Sequence, residues 1–350
     1  SSLDTVVARK VAAQLDMPVH FHRIRPQEMP DWFGKMIWFT EGRVHPGHMH
    51  YMSVNLHREV PPGPLLHGMG LESMLGGHFE LPDLFEADRE EIRDFCLKST
   101  TSLSFWPVGS RDRIFRPAFL EAVGGVTEGV SADIFQRIGF TGTYEDAIEY
   151  RNQFKGIGWA NPCLMSQALP WSDVVNPFHD HHAHRFSATI RSECIANRAG
   201  QIKWGQEYFQ GFADIPRVKS GVLIPIGLED PQAYDKGIAR LMREAKIKYY
   251  IGRLTMGRVN LPMKNSFPQY WQWYPSHRGI RDYVDGILLS DRTLDRGFFD
   301  REGIRKVLHD CRIGRRVWNA IGSMLVAEMF LRQFVDGTDI PEERNVPWGI

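Results

Sequence analysis

Leu65-Leu66-His67-Gly68-Met69-Gly70-Leu71-Glu72-Ser73-Met74-Leu75-Gly76-Gly77-His78 is the stretch whose reading decides the fold. The apolar end Pro64-Leu65-Leu66 runs into Gly68-Met69-Gly70, then an acidic residue, then the pair Gly76-Gly77. That layout predicts a buried strand ending in a loop that lets a ligand approach the backbone. Four glycines within ten residues remove the Cβ atoms that would stand in the way. At the carboxyl end of a strand in an α/β sheet, such a loop lies where ligands bind. Glu72 offers a hard oxygen ligand for a cation such as Mg²⁺, which suits phosphate chemistry. The same glycine pairs also mark ordinary turns, so the surrounding chain has to decide.

Working outward, the first 80 or so residues alternate between helical and extended patterns. A helix over 5–16 follows Asp4 as N-cap, with Val6, Val7, Val11, Ala12 and Leu15 at helical spacing. A strand over 18–24, helices near 28–40 and 47–58, and the strand 64–67 come next. This order predicts an α/β class: a partial parallel-sheet nucleotide-binding core of the adenine nucleotide alpha hydrolase type over 1–100. A large, mainly helical region over 101–337 follows; 83–100 and 144–155 are amphipathic, and 232–246 and 280–290 read as helical as well. In the last helix Val317, Ile321, Met324, Leu325, Leu331 and Phe334 form one stripe, and Gly337 stands where a C-cap belongs. Residues 338–350, with Pro341 and Pro347, read as a surface tail. An opening in mid-rhythm, helix before strand, predicts a fragment or cut domain.

The chain has 350 residues, 43% of them hydrophobic, enough for a large core. Forty-two basic and 42 acidic residues give a formal net charge of +0, which makes no electrostatic case for nucleic acid or an acidic membrane. Cys96, Cys163, Cys194 and Cys311 are far apart and form no CxxC pair, so they read as reduced, mostly buried thiols of a cytoplasmic protein. No apolar run approaches the roughly 20 residues of a membrane helix. There is no Walker A motif, Rossmann fingerprint or G-x-S-x-G elbow.

Three stretches together resemble the synthetase domain of the asparagine synthase family. Ala8-Arg9-Lys10-Val11-Ala12 with Leu15, then His20 and His22, is similar to the family's "AR-x-VA-x-x-L…HH" helix and strand. The opening stretch, with Tyr51-Met52-Ser53 before it, is similar to the "[ST]-G-x-G-x-D-E-x-x-x-G-[YH]" loop. Val175-Asn176-Pro177-Phe178-His179-Asp180 resembles the "R-x-P-F-L-D" turn, in which the aspartate is a structural hydrogen-bonding residue. Segment 298–337, with Phe299-Asp300, Arg316, Val317-Trp318 and Phe334-Val335-Asp336-Gly337, resembles the family's last helices. The resemblance covers about two-thirds of the chain.

It implies a ligase that uses ATP and Mg²⁺ to activate an aspartate-like carboxylate as an acyl-adenylate, then amidates it with ammonia from glutamine. By the match, His67, Gly68 and Gly70 contact ATP, Glu72 takes the metal, and Lys236 meets the pyrophosphate. Lys236 lies in Lys236-Gly237-Ile238-Ala239-Arg240, similar to the family's "K-x-x-[LI]-R" helix; the other reading of this pair is a solvated basic face. The departures bear on the chemistry. The family's catalytic glutamate is Met69, the acid after its metal ligand is Ser73, and the arginine of the turn is Val175. The "S-G-G-x-D-S" pyrophosphate loop and the glutaminase domain are not among these 350 residues. Ammonia would come from a glutaminase domain or subunit, and this chain alone is expected to be inactive. A degenerate scaffold or partner subunit is therefore one rival reading.

A metal-dependent hydrolase is the other. His45-Pro46-Gly47-His48-Met49-His50 and His179-Asp180-His181-His182-Ala183-His184 hold seven histidines and an aspartate, the donors of a Zn²⁺, Fe²⁺ or Mn²⁺ site. Histidines that hold no metal are the plainer reading. The aromatic run Phe267-Pro268-Gln269-Tyr270-Trp271-Gln272-Trp273-Tyr274-Pro275 either lines a groove or packs a loop on a helical layer.

Overall fold

A computed structural model describes residues 3–21, 25–43, 63–66, 68, 84, 86–102, 111–151, 153, 174–177, 180–187, 189–191, 194, 199–209, 211, 215–219, 222–225, 239–240, 243–244, 246–248, 250–251, 254–255, 259, 261, 270–315 and 317–342. In chain order the elements are α1 (Leu3–Gln14), α2 (Met29–Thr40), β1 (Leu65–Leu66), α3 (Arg89–Ser102), α4 (Arg111–Ile114), α5 (Pro117–Ala122), α6 (Val126–Ile138) and α7 (Tyr144–Arg151). Then come β2 (Val174–Val175), α8 (His181–Ser187), α9 (Ala199–Tyr208), β3 (Pro216–Lys219) and β4 (Val222–Pro225). The last are α10 (Tyr270–Ser276), α11 (Arg278–Leu288), α12 (Asp291–Asp295), α13 (Arg301–Arg312) and α14 (Trp318–Phe330).

The main core is helix on helix. Met29, Trp32, Phe33, Met36 and Ile37 of α2 bury against Ile280, Val284, Ile287 and Leu288 of α11 and Ile321, Met324 and Leu325 of α14. Ile304, Val307, Leu308 and Cys311 of α13 complete it. Apolar residues at three- and four-residue spacing put one stripe of each helix inward, which is what drives this packing. A second core joins α3, α6 and α7 through Ile92, Cys96, Ile134, Ala147 and Tyr150. Its polar tip is satisfied where the Tyr150 hydroxyl donates to Ser131 Oγ at 2.8 Å. Burial pushes the Cys96 and Cys311 thiols up to about 12, so both stay protonated, whereas Cys194 is exposed.

Helix ends follow capping chemistry. Asp300 accepts from Gly303 N at 2.7 Å to start α13, and Ser290 accepts from Thr293 N to start α12. Ahead of α7, Asp146 Oδ2 accepts backbone N–H groups from Thr141, Gly142 and Thr143 at 2.7, 2.6 and 3.0 Å. Burial works to raise that carboxyl, but the three amides outweigh it and hold Asp146 below its ordinary value.

The α/β expectation is corrected here. Among the described residues the only sheets are two-stranded: β1 with β2, parallel, and the antiparallel hairpin β3–β4. No parallel nucleotide-binding sheet is formed among the described residues. Residues 17–21 carry no strand, and Met17, Val19 and Phe21 are exposed; residues 22–24 of the expected strand lie outside the described residues. The physical reason is where the apolar surface goes. The buried face of α2 is consumed by α11 and α14, leaving no layer to cover a sheet, and β1 itself is two residues long with Leu66 exposed.

The helices expected near 5–16, 28–40 and 280–290 are present as α1, α2 and α11. The one expected over 83–100 begins six residues later, as α3. The described part of 144–155 is α7, while the helix over 47–58 lies outside the described residues, as does most of 232–246. In the last stripe Val317, Ile321, Met324 and Leu325 are buried, but Phe334 is exposed, its ring stacked on Trp38 at 4.9 Å. Gly337 takes a left-handed φ of +67° just past the π-helical turn Leu331–Val335, and Thr338 N donates back to Arg332 O at 2.8 Å.

Glu328 on α14 is fully buried, and each of its carboxylate oxygens holds an arginine: Oε2 accepts from Arg296 Nε at 2.7 Å and Oε1 from Arg332 Nε at 2.8 Å. Arg332 also donates to Ser290 Oγ, at 2.9 Å. Asp336 closes the group, paired with Arg296 and with Arg292 at 2.6 Å. Hydrogen bonds from Arg296 and Arg292 hold the Asp336 carboxyl at about 2, below its ordinary 3.8. A depressed carboxyl contributes stability that is present above the unfolded value and is lost as pH falls through the folded one. The attachment of the Asp336 turn is therefore expected to weaken between about pH 4 and pH 2. Proton-detected amide exchange at Asp336 and Thr338 checks this: protection should drop across that window in the native protein. In Asp336→Asn it should already be low at pH 5, and an unchanged Asn variant would refute the assignment.

Candidate functional site

β1 and β2 pair in parallel, Leu65 opposite Val174 and Leu66 opposite Val175. Parallel pairing puts the carboxyl ends of both strands on the same side. The chain therefore leaves Leu66 and Val175 at the same end of the pair. The two strands lead into the two stretches that sequence spacing singled out, 110 positions apart between Leu65 and Val175. The strand expected to be buried is not: Leu66 is 74% exposed.

Gly68 is exposed, and a Cβ added to it would meet nothing within 4 Å. Neither packing nor a left-handed backbone explains the glycine, and its Cα stands open to an approaching group. His67, Met69, Gly70, Glu72 and Ser73 lie outside the described residues, as do Lys236 and the run 45–50. Arg240, the other basic residue of that stretch, has Nε 3.4 Å from Glu244 Oε1, one turn on, and is mostly in solvent.

On the other side of the edge, Asp180 precedes α8. Its Oδ1 accepts from His182 N at 2.7 Å, and its Oδ2 lies 3.8 Å from His181 Nδ1. The His182 amide, with the two imidazoles beside it, holds the Asp180 carboxyl below its ordinary value. Asp180 is thus a hydrogen-bonding residue of the turn. The His181 and His182 ring centroids are 3.8 Å apart. Asp180, His181 and His182 offer ligand atoms all within 4.8 Å of one another, and all three are exposed. No group among the described residues offers the all-oxygen set that Mg²⁺ takes.

Comparison with known proteins adds nothing to this. No family model, curated protein or solved structure matches the chain.

From the aromatic run, Tyr274 is fully buried, its hydroxyl donating to Asp285 Oδ1 at 2.6 Å, and Trp273 packs against the main core. Both therefore pack rather than line a groove, while residues 267–269 lie outside the described residues. No helix among the described residues is long and apolar enough to cross a membrane. Sequence reasoning missed the Arg296–Glu328–Arg332 group altogether. Its signal was an acid on an apolar stripe, because Glu328 lies four and seven residues beyond Met324 and Ile321.

Proposed function

We propose that this chain is an asparagine synthase-type ATP-binding protein whose amide-forming chemistry has degenerated. The observation that carries the reading is the parallel β1–β2 pair, which starts the glycine segment and the Asn176–Asp180 segment from one edge. The open space at Gly68 supports it, since a Cβ-free backbone there has room for a ligand. On this reading His67, Gly68 and Gly70 contact ATP, Glu72 takes Mg²⁺, and Lys236 meets the β- and γ-phosphates.

In the parent reaction an aspartate-like carboxylate oxygen attacks the α-phosphorus, expelling pyrophosphate and forming the acyl-adenylate. Ammonia, delivered by a glutaminase domain or subunit, then displaces AMP to leave the amide. A cation and a lysine beside the phosphates stabilise the charge that develops on the departing pyrophosphate. Met69 stands where a glutamate would orient or deprotonate the attacking amine, and a thioether does neither. Binding without turnover is the expected behaviour.

Isothermal titration of the full chain with Mg-ATP tests this. We expect saturable heat, reduced about tenfold or more in Gly70→Val, and no AMP released in the presence of aspartate and ammonium. Absence of heat in a folded sample overturns the reading. Steady AMP release by the wild type overturns the degenerate part alone.

A further inference from the structure

The ATP reading gives His181 and His182 no role and takes Asp180, the third member of their cluster, only as a structural residue of its turn. We propose that this cluster binds one first-row transition-metal ion, with Zn²⁺ as the ion that fits its donors. Two imidazoles and a carboxylate are a borderline-soft set that suits Zn²⁺ and its neighbours in the series, while Mg²⁺ and Ca²⁺ call for oxygen alone. The site rests on side-chain atoms, not on the amides of the short helix α8.

The convergence needs a cause. Neighbouring residues on a helix point about 100° apart, yet the rings of His181 and His182 come within 3.8 Å of each other. Both rings are exposed, so burial supplies little reason for them to meet. A shared cation supplies one. With metal–ligand bonds of about 2.0–2.2 Å at tetrahedral angles, two ligand atoms on one Zn²⁺ lie about 3.3–3.6 Å apart. His181 Nδ1 and Asp180 Oδ2 are already 3.8 Å apart, and the whole ligand set lies within 4.8 Å. Small rotations of exposed side chains close the remainder. Asp180 is held in place for this, because Oδ1 is taken by the His182 amide while Oδ2 faces His181.

Three protein ligands on an open surface leave at least one position for water, the arrangement of a site that exchanges ligands rather than a sealed structural one. The proposal does not depend on ATP binding, and its test contains no nucleotide.

The full chain, prepared without a histidine tag and stripped with chelator, is titrated with ZnCl₂ and its metal content is measured after dialysis. The wild type should retain one more Zn²⁺ per chain than the double variant His181→Ala/His182→Ala. Asp180→Asn keeps a good helix cap while removing the anionic ligand, and should bind that ion about tenfold or more weakly. Circular dichroism should show unchanged helicity in both. Equal stoichiometry and affinity in the wild type and the double variant, or no retained Zn²⁺ in the wild type, overturns the site. Wild-type affinity in Asp180→Asn overturns the three-ligand assignment.

Discussion

Replacing Glu328 with alanine is expected to remove about 3–5 kcal/mol of stability, a large part of what a folded domain has to lose. The carboxylate is fully buried on α14 and faces Arg296 and Arg332, whose side chains are 14% and 12% exposed. Removing it leaves two guanidinium groups with little water and one fewer anion between them. The effect should fall toward the lower end of that range. Arg296 keeps Asp336, and Arg332 keeps Ser290 Oγ and Thr293 Oγ1, so neither cation is abandoned. Glu328→Gln keeps the shape and one acceptor and should cost less than alanine. Urea unfolding followed by tryptophan fluorescence reads the difference in midpoint. A loss under about 1 kcal/mol in Glu328→Ala would mean that the pair behaves as a surface ion pair, which its burial argues against.

Gly303→Ala is expected to be comparably damaging through a different mechanism. A Cβ built there overlaps the Arg113 carbonyl oxygen and lies 2.8 Å from its carbon and 3.0 Å from Ile114 Cα. All three atoms are backbone, so no side chain can swing aside. The helix α13 must separate from α4, and with it go the Asp300 N to Ile114 O bond at 2.7 Å and the Phe115–Phe299 bridge. Overpacking typically costs about 1–3 kcal/mol, and a clash with fixed backbone belongs at the top of that range or above it. Gly286→Ala on α11 serves as control, because an added Cβ there meets nothing within 4 Å. Helix propensity alone should make that variant more stable by about 0.5–1 kcal/mol. If both variants unfold at the same denaturant concentration, the close approach of α13 and α4 is refuted.

Much of the helical content was legible in the residues. The stripe Val317, Ile321, Met324 and Leu325 predicted α14, and 280–290 read as helical where α11 lies, because helical spacing is a local property. Over its described part, residues 18–21, the strand expected at 18–24 does not form, for a related reason. Val19, Phe21 and their neighbours alternate as a strand would, but a strand exists only when another strand accepts its hydrogen bonds, and residues 17–21 have no ladder. The pairing of Leu65-Leu66 with Val174-Val175 was beyond reach from sequence for the same reason: it joins positions over a hundred residues apart.

For the candidate site, residue chemistry alone singled out the glycine segment and the histidine run. His181 and His182 could be named as donors, yet adjacent positions on a helix give no warning that their rings converge on Asp180. Composition and short-range spacing thus determined the charge balance, the helices α1, α2, α3, α7, α11 and α14 and the identity of the candidate ligands, all of which depend on neighbours within a turn or two. The tertiary structure alone decided that α2 packs on helices instead of covering a sheet, that Gly303 must be glycine, and that Glu328 is an internal counter-ion. Each of those depends on which distant surface supplies the burial, the carbonyl or the guanidinium, and that is settled by the competition of all buried faces at once.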